Sequence, residues 1–152
     1  MTVSAMELAG ELVRRSAAKG RPLTNLSVQK LAYFCHGWHL ALTGEPLVGE
    51  SFSAWKFGPV LPSVYHQLKV FSSNPIPPTH PWVANLGTAG RISDHASQII
   101  DQVLDLYGQY SGPQLVNMSH VSNGPWAEAW SKGEDLMADE KIAQYFRSML
   151  QH

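Results

Sequence analysis

Apolar residues recur every three to four positions through most of this chain, the spacing that gives a helix one buried face. Over residues 4–19, Ala5, Leu8 and Leu12 fall on one line, and Met6, Ala9, Val13 and Ala17 on the next. Glu7, Glu11, Arg14 and Arg15 lie largely toward the other side, and Gly20 with Pro22 ends the helix. Thr24 is a good N-cap for a second helix running to about residue 43, in which Val28, Leu31, Cys35, Trp38 and Leu42 share a face. Ala32, Phe34 and Ala41 widen that face beyond a single stripe, so this helix is expected at the centre, packed on more than one side. Gly44 stops it. The period then changes. Residues 46–58 read as a short two-stranded hairpin with Gly49 in the turn, closed by Gly58 and Pro59.

Pro62 starts a third helix to about residue 71, with Val64, Leu68 and Phe71 inward. Residues 72–92 hold Pro75, Pro77, Pro78 and Pro81 with Gly87 and Gly90, and read as a loop long enough to be an insertion or a binding segment. Ser93 caps a fourth helix through about residue 110, with Ile99, Val103, Leu106 and Tyr107 as its core face and Asp94, Asp101 and Asp105 wet. A short helix follows over 111–120, then one or two turns over 126–130 after the Asn123-Gly124-Pro125 break. The last helix covers 139–150, with Ile142, Phe146, Met149 and Leu150 inward. The expected fold is mainly α: a compact bundle of about six helices with one small β-hairpin between the second and third, in a single domain over residues 1–152.

Composition narrows the class. Of 152 residues, 44% are hydrophobic and only 15% charged, which excludes a disordered chain. One cysteine excludes a disulfide framework and a cysteine-based zinc cluster. No run approaches a membrane span, and Glu7 and Glu11 interrupt any apolar leader, so the expected setting is the cytoplasm, without membrane contact. Eleven basic against twelve acidic residues give a net charge of −1, split as +3 over residues 1–76 and −4 over 77–152. Neither half carries the dense Lys/Arg stripe that nucleic-acid binding requires, so no direct nucleic-acid partner is expected. No phosphate-binding, nucleophile-elbow or zinc-protease motif occurs, so no enzyme and no cofactor is expected.

Two stretches are more specific than periodicity. The first runs from Leu23 through Gln29-Lys30-Leu31 and Gly37-Trp38-His39 to Trp55-Lys56-Phe57-Gly58-Pro59 and Tyr65; the second is Met118-Ser119-His120 followed by Gly124-Pro125-Trp126. In order and spacing they resemble the Panacea domain of bacterial and phage-associated toxin–antitoxin systems, met as SocA-like or GepA-like proteins. The resemblance implies an antitoxin that binds a co-encoded toxic protein directly and neutralises it. In some relatives it implies instead an adaptor that delivers the toxin to a AAA+ protease. Other members carry an additional DNA-binding domain, for which this chain is expected to have no room. Gln29, Lys30, Trp38, Gly58, Pro59, His120, Pro125 and Trp126 are then the structural motif, and an uncharacterised metal-dependent enzyme is the least favoured alternative.

Within that frame each candidate carries two readings. Trp55 and Phe57, two apart on a strand, either pin the hairpin to the bundle or belong to a partner interface, where aromatics are favoured; the core role is preferred. Lys56 faces the opposite way and is the better candidate for partner contact. With Tyr65 and the exposed side of the second helix, including His36 and His39, it makes up the expected toxin-binding surface. His36 and His39 beside Cys35 also raise a metal site, but a hydrogen-bonded pair is preferred, because zinc needs three or four converging ligands. Cys35 reads as a small buried hydrophobe, and His120 as a side chain bonding backbone groups around the Gly124-Pro125 break.

Overall fold

Each helix begins where a cap or a proline permits it to. The computed structural model describes residues 2–84 and 92–150. In α1 (Ala5–Ala18) the Ser4 hydroxyl accepts the Glu7 N–H while the Glu7 carboxylate accepts the Ser4 N–H, satisfying two orphan donors at once. Thr24 caps α2 (Asn25–Thr43) through the Ser27 N–H, and Gly44 ends it in the left-handed region at φ 78°. After the hairpin come α3 (Pro62–Leu68), a 3-10 turn (Lys69–Phe71) and the single turn α4 (Pro81–Ala84). Ser93 caps α5 (Asp94–Tyr107), and Ser111 with Gln114 forms a second reciprocal cap on α6 (Gly112–Ser119). Pro125 opens α7 (Pro125–Ser131), and α8 (Asp139–Met149) closes the described chain.

The second helix is the hub, as its broad apolar surface predicts. It packs along α8 and touches α1, α5, α6 and the hairpin, so Val28, Leu31, Ala32, Tyr33 and Cys35 are all essentially inaccessible. An aromatic cluster fills the space between α2 and α8. Tyr33 lies 5.5 Å from Phe146 and 5.8 Å from Phe52, both edge-on, and Phe34 stacks on Tyr107 at 4.2 Å. Such rings contribute beyond their buried area.

The hairpin forms later in the chain than the turn signals indicate. β1 (Ser53–Trp55) pairs antiparallel with β2 (Gly58–Val60), so the turn is Lys56-Phe57, not Gly49. Gly58 takes the strained conformation at φ 107°, and Phe57 sits in the turn, 60% exposed. Phe57 therefore does not pin the hairpin. Linkage to the segment before α8 does, since Ala54 N–H donates to Asp135 O and Met137 N–H to Phe52 O (2.9 Å).

Several apolar positions also turn outward. Leu42, Leu106 and Leu150 are exposed, while Ile100 and Leu104 complete the core face of α5. Leu42 and Leu150 stand near helix ends, where neighbouring elements no longer cover them. Conversely, Glu7 and Glu11 are buried: Glu7 by the helix cap, Glu11 beside Arg14 and Arg15. The proline segment is anchored rather than loose in its described part. Ile76 is buried and its N–H donates to Leu23 O (2.8 Å), and Val83 is buried against the bundle. Residues 85–91 of that segment lie outside the described residues.

Candidate functional site

Three distant stretches of sequence converge on the hairpin. From α2, the Gln29 side-chain amide donates to Asn25 Oδ1 (2.9 Å) while its oxygen accepts the Leu61 N–H (2.9 Å). The neighbouring Lys30 Nζ donates to the Pro59 carbonyl (3.1 Å). From α7, Trp126 Nε1–H donates to the Trp55 carbonyl (2.8 Å). Pro125 stands in the first turn of α7 with no N–H to satisfy. His120, at the end of α6, stacks flat on Trp126 with centroids 3.7 Å apart. The expected hydrogen bonds from this imidazole to backbone are absent among the described residues. Its Nε2 is buried without a partner, and ring stacking holds it instead.

Gly58 is required by close approach as well as by conformation. A Cβ there would come within 2.7 Å of both Lys30 Cε and Ser119 Oγ, so only glycine lets the strand lie against the lysine stem. The Lys30 amine is fully buried, and loss of water pushes its pKa down to about 7. Burial, and then the Lys30 charge, hold His120 below the usual histidine value. Burial pushes the Cys35 thiol well up, which leaves it unreactive.

Beside the hairpin opens a cleft of about 770 Å³. Arg21 and Pro22 line it from the α1–α2 turn, Leu26 from the start of α2, Tyr110 from the α5–α6 connection and Pro113 from the first turn of α6. Trp55, Lys56 and Phe57 contribute from the hairpin, with Tyr65 and Lys69 from α3 and its 3-10 turn. Gln29 and Lys30 also belong to the lining. Trp55 meets Tyr65 edge-on at 5.2 Å, and Lys56 Nζ sits 5.5 Å from the Phe57 ring centroid. The cleft thus offers a mostly apolar, aromatic surface with a few polar groups, the make-up of a recognition site.

Of the expected contact residues, Lys56, Phe57, Trp55 and Tyr65 come together at this cleft. His36 and His39 do not. Both are buried away from it, a correction to their expected place on an exposed helix face. Val48 N–H donates to His36 Nδ1 (3.4 Å), so Nε2 carries the proton and donates to Asp139 Oδ1 (2.9 Å). His39 Nδ1 donates to the Glu45 carbonyl (2.7 Å), and burial lowers its pKa. Trp38 is half-buried, its Nε1–H donating to Tyr107 Oη (3.1 Å). Among the described residues no three His, Cys, Asp or Glu side chains converge to hold a metal, and no helix is long and apolar enough to cross a membrane. Arg21, Lys69 and Tyr110 were not signalled by any motif. They reach the cleft from separate turns, and only the fold unites them.

Comparison with known proteins covers the same part of the chain. The profile described as "Antitoxin SocA-like, Panacea domain" matches residues 28–127, a span holding Gln29, Lys30, the hairpin, His120 and Trp126. Antitoxin SocA of Caulobacter vibrioides (strain NA1000 / CB15N) is 38% identical over 137 residues, covering 82% of this chain and 69% of that protein. No solved structure matches. With the profile spanning residues 28–127 and the curated relative covering 82% of the chain, this protein belongs to the SocA-like antitoxin family and carries its Panacea domain.

Proposed function

We propose that this protein is the antitoxin of a toxin–antitoxin pair and that it neutralises a toxin encoded by an adjacent gene through direct binding. The observation that supports this reading best is the hairpin tip. Hydrogen bonds from Gln29, Lys30 and Trp126 fix its base, yet Phe57 stands 60% exposed beside Lys56 and Tyr65. A large aromatic left in water on a hydrogen-bonded hairpin is costly to keep and suits an interface anchor, because an aromatic side chain has little rotamer freedom to lose on docking. An interface centred there is expected to bury ~1,200–2,000 Å² in total. Lys30, though its pKa suits proton transfer, is covered by Gly58 and serves as an internal strut.

Co-expression tests the proposal. The neighbouring open reading frame alone should arrest growth, and this protein should restore it. Phe57→Ala removes an exposed side chain, so folding should persist while affinity for the toxin drops about thirtyfold, the equivalent of ~2 kcal/mol for an aromatic anchor. A neighbour that is harmless alone, or that stays toxic beside the intact protein, contradicts the reading. A toxin whose half-life shortens in the presence of this protein would replace sequestration with delivery to a AAA+ protease.

A further inference from the structure

The charges around the cleft are one-sided. Its lining includes Arg21, Lys30, Lys56 and Lys69 and not one aspartate or glutamate. Arg21, Lys56 and Lys69 are exposed, and none is in an ion pair among the described residues. Elsewhere the protein pairs its cations readily: Arg15 with Glu11 and Asp101, Lys19 with Asp105, Lys132 and Lys141 with Glu128. Unpaired cations around an apolar cleft raise its potential, and low-dielectric walls focus that potential outward. The starts of α2 and α6 also line the cleft, each capped by a neutral hydroxyl and with no acidic residue in its first turn, which adds to the positive field.

Resting on the antitoxin reading, we propose that the cleft takes an acidic segment of the toxin. An apolar or aromatic side chain of that segment packs against Trp55 and Tyr65, and its carboxylates lie against Arg21, Lys56 and Lys69. The net charge of −1 for the whole chain, with Arg21, Lys30, Lys56 and Lys69 gathered at one cleft rather than spread with other cations as a stripe, favours a short acidic polypeptide over a nucleic-acid backbone. Exposed cations of this kind act chiefly on the rate of encounter and on its salt dependence.

The experiment measures association of the full-length protein with the purified product of the neighbouring gene, by surface resonance at 50 and 300 mM NaCl. The intact protein should lose about tenfold in association rate between the two salts. Arg21→Glu/Lys56→Glu/Lys69→Glu, all at exposed positions, should bind at least thirtyfold more weakly and show a nearly flat salt response. Lys132→Glu, outside the cleft, should behave as the intact protein. Fifteen-residue peptides tiling the toxin should compete only where they carry two or more carboxylates. Undiminished binding and an unchanged salt response in the triple variant would overturn the inference while leaving the antitoxin reading intact. Failure of the intact protein to bind the toxin at all would sink that reading itself. Competition by a fifteen-nucleotide oligothymidine as effective as the acidic peptide, or salt-sensitive self-association abolished by the triple variant, would give the cleft to another occupant and overturn the inference too.

Discussion

Gly37→Ala is expected to lower stability by ~1–2 kcal/mol, the upper end of the usual overpacking cost (~2–3 kcal/mol) at an unyielding contact less the gain of alanine in a helix (~1 kcal/mol). Gly37 lies midway along α2, where a Cβ would fall 2.1 Å from Phe146 Cε2 and 2.5 Å from its Cζ. The ring cannot swing aside. It is fully buried, with Tyr33 at 5.5 Å, Trp38 at 5.2 Å and Tyr145 at 5.3 Å around it. The hub helix and α8 must therefore move apart, and the aromatic cluster between them loses contact. Urea denaturation reads the effect directly. Gly37→Ala/Phe146→Leu should recover part of the loss, because the smaller side chain gives room for the new methyl. A Gly37→Ala protein as stable as the parent would mean that α2 and α8 do not approach this closely.

The second large effect concerns pH. Lys30 has a pKa near 7 in the folded protein against 10.5 when exposed. Between these values the unfolded chain binds a proton that the folded chain does not, so stability rises with pH across that window. Below about pH 7 the buried ammonium is charged in both states and its full penalty is felt, at most ~5 kcal/mol for a shift of this size. Lys30→Met should remove this slope, at the cost of leaving the Pro59 carbonyl without its donor. The stability difference between the two proteins should therefore change by several kcal/mol from pH 7 to pH 10, whatever its sign at either end. Parallel profiles would show that Lys30 does not lose its proton on burial. Stability should fall further below pH 6.5, because burial holds His39 and His120 under their unfolded values and the unfolded chain takes up protons first.

The helical framework was readable because its punctuation is local. Thr24, Gly44, Ser93, Ser111 and Pro125 act on backbone groups within a turn of themselves, and each marks a boundary in the structure. The central place of α2 was readable for a related reason: no amphipathic helix at a surface needs apolar residues on so many sides. The hairpin was not. Strands of three residues are too short for a period of two to register, and Pro46 and Gly49 offered a more conventional turn than Lys56-Phe57 with Gly58 behind it. A period of two therefore puts Phe57 in a strand, whereas in the structure it is the exposed tip.

Long-range partners decided the remaining differences. Nothing near His36 announces Asp139, which lies 103 positions away, so a helix histidine with no visible partner was expected to face solvent. Glu7 and Glu11 followed the same logic, their burial depending on a cap and two arginines rather than on helical phase. The motif residues Gln29, Lys30, Gly58, Pro59, His120 and Trp126 were identifiable by resemblance, but that they meet around one hairpin is a property of the fold. The cleft was invisible in the sequence because its lining comes from the α1–α2 turn, the hairpin, α3 and the α5–α6 connection.

Neutralisation by docking makes a quantitative demand that a chemical mechanism does not. Titrating the purified protein into a fixed amount of toxin, while following the toxin's own activity, separates the two. Occupancy of the toxin surface predicts that activity falls in proportion to added protein, reaches its floor at a fixed molar ratio, and returns when the complex is dissociated and the toxin re-isolated. Complete and lasting inactivation by a small fraction of an equivalent would contradict the account.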